Sequence, residues 1–268
     1  GINVSLRMRF HTDMSAYSKQ SDLSDLPGKL FIVEGIDGSG KSTQLDLLTK
    51  WLRSQGYCAY FSEWNSSPLV RETTKIGKQR RLLTPITFSL IHAADFADRF
   101  ERAILPPLRA GAIVLADRYV YTAYARDAAR GVDRDYIRRM YRFAPKPTGA
   151  FFFDVPLQEA LKRILSGRPQ LKWYEAGMDL NLSEDPYKSF EMFQGRIREE
   201  YLRIVDECGL SVIDATLPIS VQQARLREQV QPHLDGMLRV PTIPYGELAE
   251  EGVTGRYISE ISGDWRHE

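Results

Sequence analysis

The chain has 268 residues, 43% apolar, 26% charged and 11% aromatic, which is the composition of an ordinary globular domain and excludes a disordered, collagenous or coiled-coil chain. Its 36 Lys and Arg balance 35 Asp and Glu, so the basic excess that drives non-specific nucleic-acid binding is absent. Cys58 and Cys208 are its 2 cysteines, too few for a disulfide framework or a zinc cage, and no run approaches the ~20 apolar residues of a membrane span. No apolar stretch of signal-peptide type opens the chain. A cytoplasmic location is expected, with neither nucleic acid nor membrane as partner.

Residues 1–28 are short of apolar residues and rich in Ser, Asp, Pro and Gly, and read as a mobile N-terminal extension. The domain proper is expected over 29–231. It opens with an apolar run, Leu30 to Val33, then a glycine-rich stretch, then helical spacing from Gln44 to Leu52 through Leu45, Leu48 and Leu52. Further apolar runs at Tyr57 to Phe61, Ala112 to Ala116, Ala150 to Phe153 and Leu210 to Ile213 read as strands. Helices are predicted over about 86–104, 133–142, 156–166, 187–207 and 219–230. Strands alternating with helices imply an α/β fold with a five-stranded parallel sheet covered by helices on both faces. The stretch 167–185 has no period of its own and is long for a connection, which suits a lid over a site. A tail over 232–268 mixes Pro, Gly and aromatic residues and is expected to pack on the surface or on a partner.

Gly35-Ile36-Asp37-Gly38-Ser39-Gly40-Lys41-Ser42-Thr43 fits the pattern of a glycine, four residues, then Gly-Lys-Ser. It lies between an apolar strand and an amphipathic helix, the setting that a phosphate-cradling loop requires. Glycines there let backbone N–H groups approach anionic oxygens, and the following helix adds the positive end of its dipole. Lys41 is expected on the β- and γ-phosphates of a nucleoside triphosphate, and the Ser42 hydroxyl on its Mg²⁺. A second acid, Asp117, ends the strand Ala112 to Ala116 and is placed to hold Mg²⁺ through water. The adjacent Arg118 carries a planar fork suited to phosphate oxygens. No Asn-Lys-x-Asp sequence is present, which argues against a signalling GTPase.

These residues resemble the thymidylate kinases, a family of P-loop nucleoside monophosphate kinases, over roughly Lys29 to Val230. The resemblance rests on FIVEGIDGSGKSTQ at Phe31 to Gln44, ADRYVYTAYARDAARG at Ala116 to Gly131, FQGRIREEY at Phe193 to Tyr201 and VIDATLP at Val212 to Pro218. It implies a homodimeric enzyme that moves the γ-phosphoryl of ATP to a pyrimidine deoxynucleoside monophosphate, with dTMP the expected acceptor. It also implies lid arginines, here Arg163 and Arg168 with Lys172 nearby, and gives Arg168 the charge that develops in transit. A small residue in the phosphate loop, Ser39, fits this subtype. Asp37 is expected to orient the metal or an acceptor hydroxyl.

The resemblance breaks where the family reads its acceptor. The pattern Leu-Leu-Phe-Ala-Ala-Asp-Arg falls on Leu90 to Phe96, so His92 replaces a base-stacking phenylalanine and Phe96 replaces a base-reading arginine. Thr122 stands for a Ser or Asn, and Arg126 and Asp127 stand for a sugar-contacting tyrosine and a glutamine. Arg-Glu-Pro becomes Ser62-Glu63-Trp64, which keeps Glu63 but loses its arginine. His92, Phe96 and Arg99 share one helix face. They form either a base site slid by one turn or a core-facing stripe. Two rival functions are a polyphosphate-dependent nucleotide kinase and a nucleotide-binding regulatory protein without chemistry.

Overall fold

The computed structural model describes residues 23–64 and 67–240. Five strands, β1 (Lys29–Glu34), β2 (Ala59–Glu63), β3 (Ile113–Asp117), β4 (Gly149–Asp154) and β5 (Ser211–Asp214), form one sheet in the order β2-β3-β1-β4-β5. Every pairing is parallel. The central strands are buried almost throughout: Phe151, Phe152 and Phe153 of β4 are all in the core, although alternate side chains leave on opposite faces. Such a run requires cover on both faces. Phe152 stacks on Tyr201 with ring centroids 5.0 Å apart, so its neighbours in β4 meet the other layer.

The helices are α1 (Lys41–Ser54), α2 (Arg71–Gln79), α3 (Pro85–Arg99), α4 (Leu105–Arg109), α5 (Val120–Ala129), α6 (Arg134–Met140), α7 (Leu157–Gly167), α8 (Pro186–Cys208) and α9 (Ile219–Val230). The helix predicted over 86–104 is divided. It is α-helical to Arg99, widens to a π turn over Phe100–Ile104, and resumes as α4. Pro106 and Pro107 follow at once and carry no amide hydrogen, so the ladder loses two donors where its register widens.

Both ends of the domain depart from the expected boundaries. Residues 23–28 are not loose: Leu23 and Leu26 pack on the core, and the Gly28 amide donates to the Leu108 carbonyl at 2.9 Å. At the other end Leu234 is buried, and the Val240 amide donates to Gly56 O at 2.8 Å. The start of the tail is thereby laid on the turn between α1 and β2. The remainder of both expected extensions, 1–22 and 241–268, lies outside the described residues. Among the described residues no helix is long and apolar enough to cross a membrane.

Candidate active site

The strands' carboxyl ends bring together residues far apart in sequence. Pairing sets Val33 beside Asp117 and Glu63 beside Asp117, so the loop after β1 and the acid ending β3 share one edge, where open α/β sheets bind ligands. Gly38 has φ +81 and a Cβ there would lie 2.5 Å from the Ala160 carbonyl oxygen, so this bend accepts glycine alone. Gly40 caps α1 without any side-chain hydrogen bond, which leaves the first amides of the helix to an anion. Ser39 is buried and its hydroxyl has no partner. Lys41 is buried beside this loop. Burial and the nearby Arg118 bring its pKa down to about 8, against the opposing pull of Asp117 and Asp37. Thr43 follows in the exposed first turn of α1.

The Ser42 hydroxyl donates to Asp117 Oδ2 at 2.6 Å, while Asp117 Oδ1 is buried with no partner. Arg118 has φ +67, a left-handed conformation that costs a non-glycine residue about 1–3 kcal/mol. Its surroundings enforce it. Its amide donates to Val33 O at 3.0 Å, and the next amide, of Tyr119, donates to Glu34 Oε1 at 2.7 Å. Glu34 also accepts from the Thr122 hydroxyl at 2.6 Å and the Tyr201 hydroxyl at 2.8 Å, so a buried carboxylate of β1 caps α5. Burial raises its pKa, opposed by these donors and by Arg118.

One cavity of about 570 Å³ joins these groups to the acceptor side, and Asp37, Lys41, Ser42, Glu63, Asp117 and Arg118 all line it. Four residues expected at the acceptor do not. Phe96 is fully buried among Trp64, Phe100, Tyr119, Tyr141 and Phe143, because its position on α3 faces this aromatic cluster. Arg99 is fully buried too and serves as a brace, donating to Ser62 Oγ at 2.8 Å, Ser62 O at 2.8 Å and Arg118 O at 2.9 Å. Thr122 is spent on Glu34. His92 lies behind the wall, against Phe88 and Trp64, where burial holds its pKa well below the usual range, helped by Lys78, Arg126, Arg130 and Arg118.

The aromatic of α3 that lines the cavity is Phe88, one turn before His92. Its ring stacks on Tyr174 at 5.3 Å, and the guanidinium of Arg130 lies 4.8 Å from its centre. Phe88, Trp64, Lys78, Arg130 and Tyr174 line the cavity and were missed by sequence reasoning. The signal for Phe88 was its spacing of four from His92, and for Arg130 its spacing of four from Arg126. Burial brings Lys78 to about 8, with Arg126, Lys172 and Arg130 pushing the same way.

The stretch expected as a lid supplies Lys172, Trp173, Tyr174 and Glu175 to the cavity wall. It is fastened from several sides. Arg130 Nε donates to Asp179 at 3.0 Å and its Nη2 to Tyr174 O at 3.0 Å, and the Arg81 guanidinium lies 3.6 Å from the centre of the Trp173 ring. Arg168 is not on the wall. It pairs with Glu175 and donates to Gln170 O within the same stretch. Arg163 donates to Ala215 O at 2.8 Å and lies beside Gly40.

Residues 33–226 match the family model described as thymidylate kinase. The chain is 45% identical over 213 residues to "Probable thymidylate kinase 2" of Saccharolobus solfataricus, covering 79% of this chain and 99% of that protein. It is 34% identical over 187 residues to "Probable thymidylate kinase" of Thermococcus kodakarensis, covering 66% and 84%. It is 35% identical over 147 residues to "Thymidylate kinase" of Desulfotalea psychrophila, covering 54% and 73%. With a phosphate loop, an acid and an arginine at one sheet edge and this breadth of similarity, the chain belongs to the thymidylate kinase family of ATP-dependent nucleoside monophosphate kinases.

Proposed function

We infer that the chain transfers the γ-phosphoryl group of ATP to the 5′-phosphate of dTMP, giving dTDP and ADP. The observation that carries this reading is that Lys41, Asp117, Arg118 and Phe88 line one cavity. A phosphate cradle, a metal-binding acid, a phosphate-binding fork and an aromatic platform for a base are thus contiguous. The loop Gly35 to Gly40, with Lys41 and Thr43, takes the triphosphate. Arg118 takes the acceptor phosphate, and Phe88, with Trp64 and Tyr174 beside it, takes the base by stacking. Lys172 reaches the cavity where Arg168 does not, and is the lid cation for charge developing in transit. The attacking oxygen is a phosphate oxygen and already anionic, so the reaction needs alignment and charge neutralisation, not a general base.

Mg²⁺ fits the pair Ser42 and Asp117. Asp117 Oδ1 is a buried oxygen with no partner, and among the described residues no three His, Cys, Asp or Glu side chains gather into a closed cage. A hydroxyl and one carboxylate are what a cation shared with substrate phosphates and water requires. When bound, it would neutralise charge on the β- and γ-phosphates. The intact set of Lys41, Ser42, Asp117 and Arg118 opposes a regulatory protein without chemistry. We place the enzyme in a reducing compartment, the cytoplasm, where its two free thiols persist. A homodimer joined through the apolar outer face of α3 completes the reading.

An acceptor screen tests it: ADP release measured with dTMP, dCMP, dAMP, dGMP and UMP. The highest kcat/KM is expected with dTMP, and a higher value with dCMP or a purine monophosphate overturns the assignment.

A further inference from the structure

Two guanidinium groups near the phosphate loop share one acceptor atom. Arg118 Nη2 donates to Asp37 Oδ1 at 2.7 Å, and Arg126 Nη2 donates to the same oxygen at 3.1 Å. Both line the cavity, with side chains only 10% and 19% exposed. Lys41 and Lys172 act on Asp37 as well and, with the two arginines, outweigh the effect of its burial to hold its carboxyl well below the usual range. Cations from the end of β3, from α5, from α1 and from the lid therefore converge on a single carboxylate. Like charges this close are costly on side chains so little exposed. A cluster with this surplus is complementary to a dianion.

We propose that Arg126 is the second guanidinium of the acceptor-phosphate site and forms, with Arg118, a fork that grips the phosphate of the incoming monophosphate. The proposal rests on the reading of the chain as a monophosphate kinase. Two features of the sequence support it. Arg126 stands where the resemblance has a sugar-contacting tyrosine, and the arginine that the pattern places before Glu63 is Ser62 here, so the chain gains one cation where it lacks another. The mounting is also suitable. Arg118 and Arg126 bracket the Glu34 clamp at the start of α5, which fixes both on one rigid segment.

The test is calorimetric binding of dTMP and of thymidine, which differ only in the phosphate, to the full chain and to Arg126→Gln and Arg126→Lys. Loss of a charge-assisted hydrogen bond is expected to weaken dTMP by about 10- to 100-fold in Arg126→Gln. Thymidine should stay within about twofold, and the KM for ATP should not move. Arg126→Lys should recover part of the loss, since a point charge returns without the fork. Should Arg126→Gln fail to fold, the same split in Arg126→Lys decides. Equal weakening of dTMP and thymidine, or unchanged dTMP, overturns the proposal. Running the other deoxynucleoside monophosphates with their nucleosides separates the two readings. If the wild type prefers another monophosphate, dTMP falls as acceptor, while the phosphate increment of the preferred pair still tests Arg126. If no pair shows an increment, both fall.

Discussion

Phe88 and Phe96 lie about two turns apart on α3; both are buried, but only Phe88 lines the cavity. Phe96 has five aromatic neighbours and no exposure, so Phe96→Ala should cost about 3–5 kcal/mol of stability with acceptor KM nearly unchanged. Phe88→Ala removes a ring from the cavity wall and should raise acceptor KM by about 10-fold or more, with ATP KM unaffected. Melting curves and initial rates on the two variants check the contrast, and a reversal of the two outcomes would restore the slid base site. Lys41→Ala removes a cation and no core volume, and should lower kcat by about 10²-fold or more with an unchanged circular dichroism spectrum. Asp127 gives a pH test. Burial raises its carboxyl to about 6 against the pull of the Ser89 hydroxyl, Arg130 and Arg126. Between the ordinary 3.8 and about 6 the folded chain holds a proton that the unfolded chain releases, so stability falls as pH rises through this window. Above it the whole cost is present, at most about 3 kcal/mol. Asp127→Asn removes the charge and can keep the Ser89 hydrogen bond. Its melting temperature should exceed that of the wild type at pH 7 and converge with it near pH 4. A variant less stable at both pH values would refute the account.

At the scale of elements, the segment after α7 depends on one backbone position. Gly177 has φ +65, and a Cβ there would lie 2.5 Å from Phe193 Cβ, so alanine is strained both in conformation and in space. Gly177→Ala should shift Tyr174 off Phe88 and raise acceptor KM, while Gly167→Ala, where a Cβ meets nothing within 4 Å, should leave kinetics intact. Steady-state rates on the two variants check this, and equal effects would count against a seated lid. Local pattern also decided which elements were legible in the sequence. The strands were visible because each contains a short apolar run, broken in β5 by Ser211, and the phosphate loop because its chemistry lies in nine consecutive residues. α4 lies just beyond the helix predicted over 86–104, and two further helices were not foreseen. α2, RETTKIGKQ, buries only Thr74 and Gly77 and so shows no apolar stripe. α5 buries Val120, Tyr121, Thr122, Ala123, Ala125, Asp127 and Ala129, nearly all round, which erases the helical period. The acceptor wall was illegible for a further reason. It is assembled from α3, α5, the end of β2 and the lid, and gapless alignment on α3 pointed to His92 although the cavity-facing ring came from the preceding turn.

For the molecule as a whole, α3 is the element whose two faces would connect catalysis to the proposed dimer. Its inner face carries Phe88 on the cavity and Phe96 and Arg99 in the core. Its outer face presents Ile86 and Leu90, 50% and 49% exposed, with Ala94 continuing the same stripe. Large apolar side chains repeated on one exposed helix face are a recurrent mark of an association surface. A two-fold contact would pair that stripe with itself, and it would press on the helix that positions Phe88. Leu90→Glu places a carboxylate in the centre of the stripe, touches no core volume, and in a two-fold contact sets like charge against like charge. The expected outcome is a dimeric wild type and a monomeric, folded variant by sedimentation, with an acceptor KM raised in the monomer while ATP KM holds. A wild type that sediments as a monomer at micromolar concentration, or a variant that stays dimeric with unchanged kinetics, would remove α3 as the contact.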